Sequence, residues 1–491
     1  MAARYDLVIV GMGSAGMAAA EFAASLPLRV TVVERDRVGG ECLWTGCVPS
    51  KALLASAKVA HTLRTADHWG LPAVDAPIDT KPVFDRVRAV QHEIARTDDD
   101  PRRFEALGIE VVRGDARLVD PTTVAVGDRL LRTRFVLLCT GSRPVALPVD
   151  GLADAGYLTN ETVFELERAP ASLTVVGGGP IAIELAQALH RLGVRVTVLE
   201  KADGVLGRDQ PELVAVLVRL LREEGLDLQT GVDVERVTVE GTTKVVHGRR
   251  RGEAHRWEAD ELLVAVGRRP SVDGLGLEDV GVQTTPTGVE VDRRMRTSVP
   301  SVYAAGDVAG RYLFTHSAGH EAVRAVRDMF FPGRGDVDDL VPWCTFTDPE
   351  LAHAGLTAAE ARERHGDGVE VHRLDLAHSD RARADGRSEG AVIVVTARGR
   401  VVGAHVLAPA AGELVHELAL AVSEGMKLSA LASLIHVYPT LATTVGHLAV
   451  ESAYAGARRL AWVVRAGRLW DRLRRRPAVP PGQGRRHRPQ H

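Results

Sequence analysis

Two cysteines, Cys42 and Cys47, stand five positions apart in the run Gly39-Gly40-Glu41-Cys42-Leu43-Trp44-Thr45-Gly46-Cys47-Val48-Pro49-Ser50-Lys51. The chain has four cysteines in 491 residues, too few and too scattered for the disulfide framework of a small secreted domain. A zinc site would need two further ligands at suitable spacing, and Cys139 and Cys344 are isolated in sequence, so no metal site is expected. Thiol–disulfide redox chemistry is what remains for the pair, with two buried, inert cysteines as the bland alternative. On a continuous helix an offset of five leaves side chains imperfectly aligned. Gly46 would let the turn before Pro49 adjust so that the sulfurs meet.

A second kind of chemistry is written twice. Leu7-Val8-Ile9-Val10 reads as a buried strand running into Gly11-Met12-Gly13-Ser14-Ala15-Gly16 and an Ala-rich helix. The strand Val30-Thr31-Val32-Val33 then ends in Glu34, 23 residues after Gly11. This is the setting a dinucleotide fingerprint needs. The glycines allow a tight turn and close approach to a pyrophosphate, the helix N-terminus receives its charge, and Glu34 accepts from a ribose diol. The pattern recurs after Leu173-Thr174-Val175-Val176 as Gly177-Gly178-Gly179-Pro180-Ile181-Ala182, and Glu200 again follows the first glycine by 23 residues. Alanine in the third glycine position is tolerated by the fingerprint. Two sites at matched spacing imply two nucleotides, one prosthetic and one exchangeable. At the second, the Glu200 carboxylate suits a free ribose 2′-hydroxyl and so favours NADH, while Lys201 and Arg208 nearby could soften the rejection of NADPH.

The elements that must position these groups follow from length and pattern. A chain this long should hold about three domains. Residues around 55 to 105 read as helical. Short strands pass through Val111-Val112 and Val124-Ala125-Val126, and Phe135 to Cys139 is a buried strand ending in Thr140-Gly141-Ser142-Arg143-Pro144. Strands at Ala391–Thr396 and Val401–Leu407 and helices around Gly412–Glu424 and Leu428–Ile435 make a different C-terminal segment. With 61 basic against 64 acidic residues, no bulk basicity points to nucleic acid. No basic leader precedes the first strand and no apolar stretch reaches the ~20 residues that span a bilayer, so a cytoplasmic protein is expected.

The cysteine segment resembles the active-site stretch of the pyridine nucleotide-disulfide oxidoreductases, flavoproteins that include dihydrolipoamide dehydrogenase, glutathione reductase and mercuric reductase. The resemblance runs from about residue 4 to 455. It implies an α/β fold with two Rossmann-like dinucleotide-binding domains and a C-terminal α+β dimerisation domain. The expected division is an FAD domain at 1–150, an NAD(P) domain at 151–270, a return to the FAD domain at 271–340, a dimerisation domain at 341–456 and a basic tail, partly disordered, at 457–491. It implies tightly bound FAD, NADH or NADPH, a homodimer, and a small-molecule or small-protein electron acceptor. By that match Cys47 is the flavin-proximal thiol and Cys42 the exchanging one. Lys51 lies near the flavin and pairs with Glu184. Asp307, in Tyr303-Ala304-Ala305-Gly306-Asp307, holds the ribityl chain. Gly114, Thr140 and Gly141 complete the FAD set, and Gly267 belongs with the NAD(P) site. Cys139 and Cys344 are expected to be structural, and His316 and His320 packing or surface residues.

One departure matters. Thiol-reducing members place a histidine, and five residues later a glutamate, in a segment the partner subunit lends to the disulfide. Here that segment reads Ile435-His436-Val437-Tyr438-Pro439-Thr440-Leu441-Ala442-Thr443, with Tyr438 in the histidine position and Thr443 in the glutamate position. His436 stands two residues early. Tyrosine, with a pKa near ~10, is a poor base at neutral pH though it can donate a hydrogen bond. Tyr438 and His436 are the candidates to replace the dyad. The expected function is electron transfer from NAD(P)H through FAD to a Cys42–Cys47 disulfide and on to a disulfide or related acceptor. The alternative is a quinone, diaphorase-type or metal-ion reductase that does not need the disulfide. The tail carries Leu460, Val463, Val464, Leu469, Trp470 and Leu473 among eight arginines from Arg458 to Arg476. Such a basic amphipathic pattern suits an anionic membrane surface, although a solvated terminal helix is the weightier reading.

Overall fold

The computed structural model describes residues 4–333, 336–337, 339–459 and 461–474. The first sheet is built on the apolar run Arg4–Val10, whose last four residues are buried on both faces as a parallel central strand requires. It pairs in parallel with Val30–Glu34 on one side and with Arg129–Leu138 on the other. Glu110–Arg113 extends the sheet beyond Val30–Glu34, and Val302–Ala304 joins in parallel beside Arg129–Leu138. An antiparallel ribbon, Ala116–Asp120 and Thr123–Val126, completes it. The strand Val302–Ala304 returns to this sheet after an inserted unit, while Leu275, Leu277, Val282, Val289 and Met295 before it pack in the same core as Leu7 to Val10.

That insertion repeats the design. Ser172–Val176 lies between Arg195–Glu200 and Glu261–Val264, with Asp227–Thr230 beyond, all parallel. The chain enters and leaves through two short strands, Ser142–Pro144 and Arg268–Pro270, which pair antiparallel with each other. The Arg143-Pro144 strand end singled out in the sequence thus forms one half of a double connection.

The third layer is a five-stranded antiparallel sheet in the order Trp343–Thr345, Glu350–Gly355, Arg400–Ala408, Ala391–Ala397, Val369–Asp375. Ala391–Ala397 is buried through its first six residues because both faces are covered. Leu351, Ile393, Val395 and Leu407 join a core shared with the second layer and with the helix Cys47–Arg64. Ala352, Val392, Val394, Ala404 and Val406 pack on the other side with the helix Ala411–Ser423. One apolar core therefore ties the cysteine-bearing helix to both later layers.

Two local readings need correction. The helical stretch expected over 55 to 105 is interrupted: helix ends at Arg64, a single turn covers Ala66–Trp69, and helix resumes at Lys81–Arg96 and Pro101–Ala106. Gly70, at φ 74°, closes the turn in the left-handed region, and Pro72 and Pro77 keep the following residues out of a helix. The helix expected to reach Ile435 stops at Leu431. The tail forms a helix at Ala461–Arg474, while Arg475, Arg476 and the Arg/Pro run from 477 lie outside the described residues. No helix among the described residues is long and apolar enough to cross a membrane.

Candidate active site

The cysteine segment is not one helix. Gly40–Trp44 makes a short helix, Thr45 and Gly46 break it, and Cys47 opens the long helix Cys47–Arg64. The break brings the Cys42 thiol to donate a hydrogen bond to Cys47, and the Thr315 hydroxyl lies 3.5 Å from the Cys47 sulfur. Cys47 is held down to about 6, first by the hydrogen bond from Cys42, then by Thr315 and the charge of Lys51, against burial and Glu184. The first-turn amides of its helix favour the same thiolate. Cys42 is pushed well above the ordinary thiol range, because its proton is engaged by Cys47 and its surroundings are buried. One thiol keeps its proton and the other gives it up.

One turn along, the Lys51 ammonium lies 2.8 Å from Glu184 and 4.4 Å from the centre of the Phe346 ring. Glu184 sits on the helix Pro180–Arg191, and its other oxygen accepts from the Phe346 backbone N–H at 2.8 Å. Its carboxylate is almost wholly enclosed, and the partly exposed lysine is its charge partner. The apolar contact between these two helices sets that distance.

A cavity of about 620 Å³ joins these groups. Its wall runs from Gly13, Ser14 and Ala15 past Cys42, Cys47 and Lys51 to Ile181, Glu184 and Phe346. The glycine-rich turns at its ends pack too closely on the neighbouring strand end to admit a side chain. Gly11 has φ 100°, and a Cβ there would overlap the Cys139 carbonyl. Gly177 has φ 120°, and a Cβ there would overlap the Ala265 carbonyl, the equivalent contact in the repeated unit. The first turn opens the helix Ser14–Ala24 and the second opens Pro180–Arg191, so each presents first-turn amides. Gly16 and Ala182 are buried within these helices. Glu34 accepts from Met12 N at 2.6 Å and from Asp36 N at 2.8 Å. Glu200 is held alike by Ala202 N at 2.7 Å and lies against Gly178. Each strand-end carboxylate is thus folded back beside its glycine turn. Gly114 donates to the Glu34 carbonyl at 3.0 Å.

Asp307 reaches the cavity with its carboxylate 2.5 Å from the Ser142 hydroxyl, and burial raises its pKa. The Thr140 hydroxyl bonds the Ser271 carbonyl at 2.7 Å, which fixes the crossing strands, and Gly141 lines the wall. Gly267 takes φ 128° at the second crossing and its carbonyl accepts from Val145 N. A cavity of this size, with amide-presenting helix ends, ribose-type carboxylates and a dithiol beside a lysine, fits the two-nucleotide arrangement.

Several groups in the wall carried no earlier role. Glu41 pairs with Arg268, receives Asn160 Nδ2 at 3.2 Å, and is raised to about 7 by burial, with Arg268 opposing. Glu41 lies inside the cysteine run, so its position could have been read from the sequence. Thr315 arrives from 268 residues away with no motif to mark it. His316, expected as a packing or surface residue, lines the cavity and bonds the Pro342 carbonyl at 2.8 Å. Cys139 is buried, and Cys344 is part of the cavity wall. Lys201 is paired with Asp233 at 2.9 Å, and the Arg208 guanidinium stacks 5.0 Å from the Trp343 ring.

The segment that departs from the family pattern is not in this subunit's cavity. Tyr438 donates to Asp380 at 2.9 Å and is 66% exposed. His436 turns inward to Glu417, 3.2 Å from both carboxylate oxygens, with its ring against Gly446. Thr443 bonds the Thr440 carbonyl at the start of the helix Thr443–Arg459. Leu434, Ile435, Val437 and Tyr438 form an exposed apolar strip.

Residues 5–322 match the family described as "Pyridine nucleotide-disulphide oxidoreductase", and residues 341–449 match its dimerisation domain. Dihydrolipoyl dehydrogenase of Bacillus subtilis (strain 168) is 33% identical over 470 residues, covering 92% of this chain and 98% of that protein. Mercuric reductase of Bacillus cereus is 33% identical over 362 residues, covering 73% of this chain and 57% of that one. Among solved structures, LpdA from Mycobacterium tuberculosis superposes with a TM-score of 0.83 at 29% identity, covering 91% of this chain and 99% of the other. The HOCl-induced flavoprotein disulfide reductase RclA from Escherichia coli gives 0.82 at 25% identity, covering 91% and 99%, and has also been solved as a Cu(II) complex. The chain belongs to the pyridine nucleotide-disulfide oxidoreductase family: an FAD-dependent NAD(P)H disulfide oxidoreductase that forms a homodimer.

Proposed function

We propose that Cys42 and Cys47 are the redox pair of this enzyme, that NADH is its reductant, and that its acceptor is a small disulfide or a thiophilic metal ion. The observation that carries the pair is the asymmetry of the two thiols. Cys47, at the head of its helix and beside Lys51, is the thiol favoured to ionise, and Cys42 the one favoured to keep its proton. When bound, FAD supplies a two-electron relay between nicotinamide and dithiol. The rest is the work of this chain. The hydride equivalent of NADH, two electrons and one proton, opens the Cys42–Cys47 bond and leaves Cys42 as thiol and Cys47 as thiolate. Cys42 then exchanges with the acceptor disulfide, which takes up the Cys42 proton and one proton from solvent and leaves as two thiols while the cysteine pair closes again. Lys51 balances negative charge on the flavin side, and Glu184 holds it there. Asp307 and the turn at Gly13 to Gly16 hold the prosthetic nucleotide. Pro180, Ile181 and the turn at Gly177 to Gly179 receive the exchangeable one.

NADH is preferred because Glu200 is fixed beside Gly178 while Lys201 and Arg208 have partners elsewhere. A 2′-phosphate would meet a carboxylate without a compensating cation.

The metal reading of the acceptor rests on Tyr438. Without a histidine at that position, the general acid–base help a thiol leaving group needs is absent, whereas a thiolate ligand to a soft metal ion needs none. A copper complex of a structural relative is consistent with such an acceptor. Steady-state NADH oxidation with a small disulfide, Cu(II) and a quinone, in wild type and Cys42→Ser, tests the proposal. Disulfide and metal turnover should fall at least a hundredfold in the variant. Turnover indifferent to the substitution would overturn the redox role of the pair.

A further inference from the structure

The helix Ala461–Arg474 lies beyond residue 449, where the match to the dimerisation domain ends, so nothing in the shared architecture accounts for it. Its composition is unlike the rest of the chain. Residues 461–474 hold four arginines, Arg465, Arg468, Arg472 and Arg474, against one acid, Asp471, in a protein whose net charge is −3. Arg458 and Arg459 precede it, separated from it by Leu460. Two of the six tryptophans of the whole chain fall within these fourteen residues. Trp462 is 65% and Trp470 59% exposed, and Val463 and Val464 are exposed beside them.

At about 100° per residue, positions 462, 463, 466, 469, 470 and 473 share one side of the helix, and all are Trp, Val, Ala or Leu. Positions 465, 468 and 472, all arginine, share another. Val464 falls outside the apolar stripe. Exposed tryptophan with a flanking row of arginine is chemistry for an interface between hydrocarbon and anionic headgroups: the indole sits at the boundary, and the guanidinium groups reach phosphate. Fourteen residues are too few to cross a bilayer, and an amphipathic helix of that length lies along the surface.

We propose that the helix Ala461–Arg474 docks the enzyme on an anionic lipid surface. A second copy of the helix is the wrong occupant, because two such rows of like charge repel. A neutral apolar groove on a protein would leave the arginines without partners. The homodimer presents two of these helices, so attachment is bivalent and modest affinity per helix suffices.

The test uses the FAD-loaded full-length dimer with vesicles of phosphatidylcholine alone or mixed with phosphatidylglycerol. The protein should float with the mixed vesicles only, detach at high salt, and show a blue-shifted tryptophan emission on binding. Arg465→Glu/Arg468→Glu/Arg472→Glu should weaken binding by at least about fivefold per charge removed. Trp462→Ser/Trp470→Ser should abolish the emission shift. Both variants, and a chain ending at residue 459, should keep the dimer and wild-type NADH oxidation in solution. Equal binding to neutral vesicles, flotation unaffected by truncation, or failure of the full chain to float would overturn the proposal. Loss of the dimer on truncation would do so too, by assigning the helix to a subunit contact.

Discussion

Replacing Cys42 separates two roles that its sulfur combines, as redox partner and as hydrogen-bond donor. The hydrogen bond from Cys42 is the largest influence holding the Cys47 thiol near 6 rather than its ordinary 9. A hydrogen bond to a charged acceptor contributes about 1.5–3 kcal/mol. At about 1.4 kcal/mol per pH unit, its loss should move the Cys47 midpoint up by about one to two pH units. Cys42→Ala removes the donor, whereas Cys42→Ser supplies an O–H in nearly the same place. The Cys47 midpoint should therefore lie about one to two pH units higher with alanine than with serine. The assay is the rate of iodoacetamide alkylation at Cys47 between pH 5 and 9 in reduced, FAD-loaded protein, read by peptide mass spectrometry. Cys139 and Cys344 do not interfere, because burial holds both thiols far above this range. Coincident midpoints for the two variants would refute the reasoning and leave the helix N-terminus and Lys51 to account for the thiolate.

Three further outcomes follow from the same contacts. Lys51→Met leaves the enclosed Glu184 carboxylate without its charge partner. Its melting temperature should fall clearly, and Lys51→Met/Glu184→Leu should recover part of the loss; equal melting of single variant and wild type would contradict the enclosed pair. Glu200→Ala removes the carboxylate that would receive a ribose diol, so kcat/KM for NADH should drop by about tenfold or more while that for NADPH holds or rises. A proportional fall for both nucleotides would place the cofactor elsewhere. Burial raises Glu41 from an ordinary 4.5 to about 7, so its protonated form is favoured in the fold, and the stability this contributes is lost as pH rises from below 4.5 through about 7. Glu41→Gln keeps a neutral side chain at every pH. Its melting temperature should therefore gain on wild type between pH 5 and 8, and a constant difference would show that Arg268 already holds the carboxylate charged.

The features legible in the sequence were those in which one backbone need dictates the residue. Gly11 and Gly177 answer the same close approach to a carbonyl in two units, so the repeat announced itself, and Glu34 and Glu200 followed at equal spacing. The Arg143-Pro144 crossing was visible as a strand end, though not that it pairs with Arg268–Pro270. Thr315 was invisible, because its value lies in a contact with Cys47 across 268 residues, and a threonine opening a helix has many ordinary uses. The interruption at Gly70 was missed because the flanking stretches are helical in pattern, and a left-handed glycine with two following prolines outweighs them locally.

The displaced histidine carries the remaining argument. Shifting it from position 438 to 436 moves it across the segment, and the structure spends it on Glu417 inside its own subunit, against the helix Thr443–Arg459. A histidine–glutamate pair thus persists, but as a brace that orients the exposed strip Leu434 to Tyr438. A homodimer must bury such a strip, and the outward group it then offers is the Tyr438 hydroxyl. A phenol held by Asp380 has its pKa raised, so it can donate a hydrogen bond but does not take a proton near neutral pH. Tyr438→Phe should consequently leave NADH oxidation with a metal acceptor intact to within about threefold, since no proton transfer of general-acid size is removed. Tyr438→His is the informative gain. If the acceptor step with a disulfide is limited by the missing base, a histidine at 438 should raise disulfide turnover by tenfold or more, with a new ascending limb near pH 6 to 7. No gain, with dimer and flavin content unchanged, would mean that position 438 does not reach the disulfide at all.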